Sequence, residues 1–368
     1  MKIAIDARII NSTTGRYIER LLHHLEELDK TNDYLVLVPK KDLHYYKPRN
    51  KRFRIVEANS DNYSLNEQIG FLRLLNKLKP DLVHFCMPQQ PILYQGLHVT
   101  TVHDLNLLNT YNSDKNYLVY KFKQGIGRLA FYIIGHTSAH IITPTHYTKD
   151  AYTAFANINP QKITVTYEAS ETAKISPKPY EPLVDKQFLL YVGQQSDYKN
   201  IRRLMQAHRQ LRKKYPELLL ALAGRLSGKN GKPLQMNREW ATKHGFEGVI
   251  YTDFVTDEQL RWLYKHCATY VFPSLMEGFG LPGLEAMSAG ASVVSSNATC
   301  LPEVYGNAAH YFDPLSVDDM AQKIDDVLQD KPLQKKLIER GAKQAAKYSW
   351  RTMAEQTLAV YQKVLKNT

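Results

Sequence analysis

The sequence predicts an α/β protein of two doubly wound domains, each a mostly parallel sheet between helices, facing each other across a cleft. Three observations predict it. At 368 residues the chain is longer than one typical core accommodates. Short, β-branched, wholly apolar runs alternate with stretches of helical period, which is the pattern of repeated βαβ units. The alternation breaks once, at Ile175-Ser176-Pro177-Lys178-Pro179-Tyr180-Glu181-Pro182, where the proline spacing predicts an extended linker.

In the first half the strand-like runs are 2–6, 34–38, 53–57, 82–85, 98–103, 140–143 and 163–167. Most are β-branched and apolar throughout, as strands covered on both faces would be. Helical period fills the gaps, first at 16–25. After the linker the runs are 188–192, 218–223, 249–251, 269–272, 292–295 and 310–312, with helical stretches at 201–211 and 317–328. The reading divides the chain into 1–180, 181–349 and a last helix, 350–368, expected to pack back on the first domain. A cleft between two such domains is a default ligand site.

Composition narrows the class. Apolar residues make up 43% and charged residues 23%, the balance of an ordinary globular protein. A formal charge of +12 suits an anionic partner. Cys86, Cys267 and Cys300 have no metal-ligand or disulfide spacing, which fits a reducing compartment. The first residues, Met1-Lys2-Ile3-Ala4-Ile5-Asp6, are too short and charged for a signal peptide. The expectation is a cytoplasmic chain without a spanning helix, either fully solvated or seated peripherally on the inner face of a membrane.

The most specific stretch is Ser274-Leu275-Met276-Glu277-Gly278-Phe279-Gly280-Leu281-Pro282-Gly283-Leu284-Glu285. It joins an apolar strand to a helical pattern, the place where open α/β sheets bind nucleotides. Pro282 suits a first helical turn. Gly278 and Gly280 permit tight turns. Backbone N–H groups around Phe279, Gly280 and Leu281 are then aimed at a diphosphate from the positive end of a helix. Glu285, expected in the first helical turn, is a fit acceptor for a ribose diol. Glu277 is placed for hydroxyls of a sugar beyond the phosphate.

Glu277 and Glu285, spaced E-x7-E around Gly-Phe-Gly-Leu-Pro, resemble the donor motif of retaining glycosyltransferases of family four, which have two Rossmann-like domains (the GT-B fold). Tyr191-Val192-Gly193 with Lys199-Asn200 resembles the opening of that family's second domain. Phe254-Val255-Thr256-Asp257 resembles its base-binding turn, and Leu301-Pro302-Glu303 the element after the next strand. The resemblance implies that Lys199 pairs with donor phosphates. Gln194 stands where many relatives have arginine; Arg225 is the candidate replacement. Thr101-Val102-His103-Asp104-Leu105 resembles the mannosyltransferase-like branch, which implies that His103 meets the transferred sugar, while Asp104 orients it or caps the next turn. Gly15 ends a loop that implies close backbone approach to donor or acceptor.

These resemblances imply transfer of a hexose, mannose for preference, from a GDP- or UDP-sugar to a glycan or lipid-linked acceptor with retained configuration. His103, Glu277 and Lys199 are the catalytic candidates. Gly15, Gln194, Arg225, Phe254, Val255, Gly278, Phe279, Gly280, Leu281 and Glu285 are the donor-binding candidates. No cofactor, metal or nucleic acid is expected. Open alternatives are a nucleotide-sugar epimerase, a phosphorylase, and a non-enzymatic basic module. For the last, the basic aromatic stretches 40–54 and 115–128 suit anionic lipid or nucleic acid. Gly125-Ile126-Gly127-Arg128-Leu129-Ala130 fits a dinucleotide fingerprint, but helical pattern rather than a strand precedes it.

Overall fold

The computed structural model describes residues 1–12, 14–61, 64–110, 117–170, 175–224 and 232–367, without the side chains of 118 and 119. The chain divides into two compact units. The first comprises Met1–Leu108, Phe122–Glu168 and Ser349–Thr368; the second comprises Asn109–Lys121 and Ala169–Tyr348.

The first unit holds a seven-stranded sheet, in the order β3-β2-β1-β4-β5-β6-β7. Its strands are β1 (Lys2–Asp6), β2 (Asp33–Val38), β3 (Phe53–Glu57), β4 (Leu82–Phe85), β5 (His98–Thr101), β6 (His140–Thr143) and β7 (Ile163–Val165). Every pairing is parallel. The helices are α1 (Gly15–Leu28), α2 (Leu72–Leu78), α3 (Asn106–Asn109), α4 (Tyr117–Thr137) and α5 (His146–Ala156), of which the end of α3 and the first turn of α4 belong to the second unit. Parallel strands need such crossovers, and helices on both faces explain why β4, β5 and β6 are buried at every residue.

The second unit holds a six-stranded parallel sheet. Its strands are β8 (Phe188–Val192), β9 (Leu219–Ala223), β10 (Val249–Asp253), β11 (Thr269–Phe272), β12 (Val293–Ser296) and β13 (Ala309–Phe312), in the order β10-β9-β8-β11-β12-β13. The helices are α6 (Ile201–Arg212), α7 (Lys232–Lys243), α8 (Asp257–His266), α9 (Leu281–Ser288), α10 (Leu301–Tyr305), α11 (Val317–Gln329) and α12 (Lys331–Ala345). The last helix, α13 (Trp350–Lys366), packs on α1 and β6 in the first unit.

Two strands end earlier than the sequence predicts. The run 98–103 stops as a strand at Thr101, because Asp104 accepts hydrogen bonds from the Asn106 N–H and Nδ2 and bends the chain into α3. The run 163–167 stops at Val165. Thr145 caps α5 by accepting from the Thr148 N–H, as its hydroxyl suggests. The dinucleotide-like Gly125–Gly127 run lies inside α4.

α13 is fastened by a buried polar chain. Tyr361 Oη lies 2.6 Å from His84 Nδ1, and His84 Nε2 lies 2.8 Å from Thr101 Oγ1. Thr101 Oγ1 in turn meets Tyr17 Oη of α1 at 3.1 Å. All four residues are buried. Burial holds the His84 imidazole neutral, its pKa lowered to about 3. The chain satisfies polar groups that would otherwise be orphaned in the core.

Candidate active site

Each sheet reverses its winding once, between β1 and β4 and between β8 and β11. Ligands bind beyond the strand ends at such reversals. In the second unit, Gln194, Gln195 and Lys199 follow β8, and Ser274 through Gly280 follow β11.

Lys199 and Glu277 are brought together here. Lys199 closes a short 3-10 turn, and Asn200 then takes φ 61°, so that α6 starts in a new direction. Asn200 Nδ2 donates to the carbonyls of Pro273 and Pro314, which ties this turn to the strand-end loops. The Tyr198 carbonyl accepts from the Leu275 N–H at 2.8 Å. Across that stitch Lys199 Nζ donates to Glu277 Oε1 at 2.5 Å. Their side chains are 13% and 11% exposed. Burial disfavours the ammonium, but the Glu277 charge outweighs it, and the Lys199 pKa is raised. The Glu277 N–H is held by Thr299 Oγ1, and Cys300 Sγ donates to the Glu277 carbonyl.

The turn into α9 is shaped by Gly280, which caps the helix with φ 95°. A β-carbon there would lie 2.5 Å from Tyr305 Oη, and one at Gly283 would lie 2.2 Å from the same oxygen. Tyr305 is fully buried and donates to the Gly280 carbonyl at 2.6 Å. The helix starts at Leu281, with Pro282 in its first turn. This corrects one expectation: Glu285 is the fifth helical residue, in the second turn rather than the first. Tyr264 Oη of α8 donates to Glu285 Oε2 at 3.4 Å.

The remaining donor candidates are placed as follows. Gln194 is exposed, and its carbonyl accepts from Tyr191 Oη. Phe254 follows β10 with 61% of its surface exposed, and Val255 is half-buried. Thr256 and Gln259 form a reciprocal cap at the start of α8. Arg225 lies outside the described residues. Gly15 is used by its own chain: a β-carbon there would sit 1.9 Å from the Ile10 carbonyl oxygen.

His103 belongs to the first unit. Its Nδ1 donates to Glu168 Oε1 at 3.0 Å and its Nε2 to the Cys86 carbonyl at 3.0 Å. Both partners are acceptors, an arrangement that favours the protonated ring. Burial opposes that charge, but the Glu168 bond and charge outweigh it, and the pKa is raised. The ring meets Tyr17 edge-on, with centroids 4.7 Å apart. Glu168, rather than Asp104, orients His103. Sequence reasoning missed Glu168, Thr299 and Tyr305. The available signal for Glu168 was a carboxylate just beyond the C-terminal end of a parallel strand. Among the described residues, no three His, Cys, Asp or Glu side chains group to hold a metal ion.

Two parallel α/β units, with a lysine–carboxylate pair and a glycine-shaped helix start at the reversal of the second sheet, define an architecture of the two-domain Rossmann-like class. Comparison with known proteins specifies it further. Residues 14–173 match Glycosyltransferase Family 4 and residues 174–344 match Glycosyl transferases group 1; the chain belongs to this glycosyltransferase family. It is 36% identical over 233 residues to O-antigen chain mannosyltransferase B of Escherichia coli, across 60% of each chain. It is 34% identical over 190 residues to the serotype-specific mannosyltransferase WbdA of Escherichia coli, across 50% of this chain and 22% of that one. The matched stretch thus spans less than two thirds of either relative. Among solved structures, sucrose-phosphate synthase from Thermosynechococcus elongatus superposes with a TM-score of 0.80 at 15% identity, covering all of both chains. HepE from Anabaena, solved with UDP-glucose, superposes with a TM-score of 0.76 at 15% identity, over 99% of this chain and 100% of that one. Both share the GT-B fold.

Proposed function

We propose that the chain is a hexosyltransferase that moves a hexose from a nucleotide sugar to an acceptor hydroxyl with retention of configuration. The observation that carries this reading is the Lys199–Glu277 pair beside the Gly280 helix start. A cation and helix N–H groups there would stabilise the diphosphate as it leaves and gains charge. Lys199 would exchange its Glu277 partner for the phosphates, freeing Glu277 for sugar hydroxyls. Glu285 would take the ribose, and the exposed Phe254 ring would lie against the base. The leaving phosphate would receive the acceptor proton, so the reaction would need neither a protein nucleophile nor a metal. This distinguishes it from the paired-carboxylate route of retaining hydrolases.

Mannose is the proposed sugar, because the E. coli relatives are named as mannosyltransferases. His103, with its ring nitrogens engaged by Glu168 and the Cys86 carbonyl, would act on that sugar through its charge rather than through an N–H. The acceptor would be a growing glycan or a lipid-linked glycan, with peripheral contact at an anionic membrane in the latter case.

The test is a panel of GDP-, UDP- and ADP-sugars assayed for thermal stabilisation and for nucleoside diphosphate release with and without glycan acceptors. GDP-mannose is expected to stabilise most and to turn over with acceptor present. Turnover without acceptor and with interconversion of the sugar would establish an epimerase instead. No stabilisation by any nucleotide sugar would reject the reading.

A further inference from the structure

We infer that the outward face of α4 is a docking surface for an anionic lipid bilayer. The inner face of this helix is already satisfied. Phe131 and Ile134 are buried, Gly127 backs onto Leu107 and Leu108 of α3, and Gly135 backs onto Ala156 and Tyr152 of α5. Yet the opposite face is apolar too. Phe122 is 72% exposed, Ile126 56%, Leu129 61% and Tyr132 46%. The first three are spaced i, i+4 and i+7 and so form one stripe along the helix. A stripe of that size left to water costs free energy unless something covers it.

The charges name the occupant. Lys121 and Arg128 border one side of the stripe and Lys123 the other. Lys121 lies over the Tyr117 ring and Arg128 over the Phe155 ring, which holds these cations near the helix rather than extended into solvent. The twenty-one residues of α4 include no aspartate or glutamate. A second copy of the face would therefore set cations against cations with no carboxylate to offset them. A nucleic acid would neutralise the cations but leave Ile126 and Leu129 facing phosphates. An anionic bilayer meets both demands: its headgroups take the cations and its acyl boundary takes the stripe. No described helix is long and apolar enough to cross a membrane, so α4 would lie in the interface plane. A bilayer there suits the lipid-linked acceptor proposed above, on which its biological meaning rests; the lipid contact is measurable without any transfer reaction.

The experiment is flotation of the full chain with vesicles of phosphatidylcholine alone or mixed with phosphatidylglycerol, at low and high salt. Wild type is expected to float only with the anionic mixture and to be released by salt. The triple variant Phe122→Ser, Ile126→Ser, Leu129→Ser is expected to lose binding at least tenfold, with its Tm unchanged because these side chains are exposed. Lys121→Glu with Lys123→Glu is expected to weaken binding more than about fivefold, and to abolish its salt sensitivity. Equal flotation of wild type and the triple variant would overturn the assignment. So would binding to neutral vesicles alone, or a concentration-dependent dimer in sedimentation that the triple variant abolishes without any vesicle binding. Transfer to a soluble acceptor, assayed in parallel, reports separately on the proposed function.

Discussion

Lys199 Nζ and Glu277 Oε1, 78 residues apart in sequence, share one hydrogen bond of 2.5 Å at the ends of β8 and β11. Removing either partner leaves a mostly buried charge unpaired, which costs about 3–5 kcal/mol in comparable pairs. Lys199→Ala and Glu277→Ala are each expected to lower stability by that order and to cut kcat by a hundredfold or more. The double variant Lys199→Met, Glu277→Leu is expected to be more stable than either single variant yet equally inactive. Urea denaturation beside initial rates separates the two effects; a double variant that regained activity would remove both residues from the chemistry.

Glu168→Gln tests the charge state of His103. In the wild type the carboxylate keeps the ring protonated above the ordinary histidine range. Because the folded value is raised, the associated stability is complete below about pH 6.5 and is lost as pH rises through the folded value. The variant is expected to titrate at lower pH, read by ring-nitrogen NMR, with kcat reduced by up to about a hundredfold. An unchanged titration would show that Glu168 does not hold the proton.

Acid stability runs the other way for the core histidines. Burial lowers His84 to about 3, and His140 and His208 to about 4. Their folded values lie below the unfolded value, so stability is full above about pH 6.5 and falls as the pH drops below it. His84 alone is expected to cost on the order of 4 kcal/mol near pH 3. Tyr361→Phe removes a partner of His84 and is expected to cost about 1–3 kcal/mol at neutral pH. Denaturation curves from pH 7 to 4 check both; a flat profile would contradict the buried neutral ring.

Two glycine substitutions are expected to have opposite signs. Gly283→Ala places a β-carbon 2.2 Å from Tyr305 Oη, and overpacking of this kind costs about 1–3 kcal/mol. Because the crowding is at the start of α9, nucleotide-sugar affinity is expected to fall as well. Gly125→Ala, in the interior of α4, meets nothing within 4 Å among the described residues and is expected to gain roughly 0.5–1 kcal/mol of helix stability. Thermal melts of the two variants decide it.

The sheets were legible because most of their parallel strands, buried on both faces, write short apolar runs between stretches of helical period. β1, β3, β4, β6, β8 and β11 match their expected limits residue for residue. The glycine-proline turn was legible because few residues tolerate its backbone. What the sequence left hidden were partnerships across distance. Nothing local in Tyr167-Glu168-Ala169 points to His103, and nothing near Lys199 announces a carboxylate 78 residues on. Glu285 was expected a turn too early, and the Tyr305 side chain packed against Gly280 and Gly283 arrives only after the next strand.

The bond from Tyr361 to His84 has a consequence for biosynthesis. A ribosome releases the seven strands of the first unit long before the helix that covers them. At about 5–20 residues per second, Tyr361 follows the end of β7 by roughly 10–40 s. Throughout that interval the His84 ring and the α1 surface await their partner, and before it ends β13 (Ala309–Phe312) completes the strands of the second unit. The later half of the chain is therefore free to fold first, and the earlier half is completed by the final helix, so that a stall or truncation before residue 361 would leave the first sheet, rather than the second, for chaperones to guard.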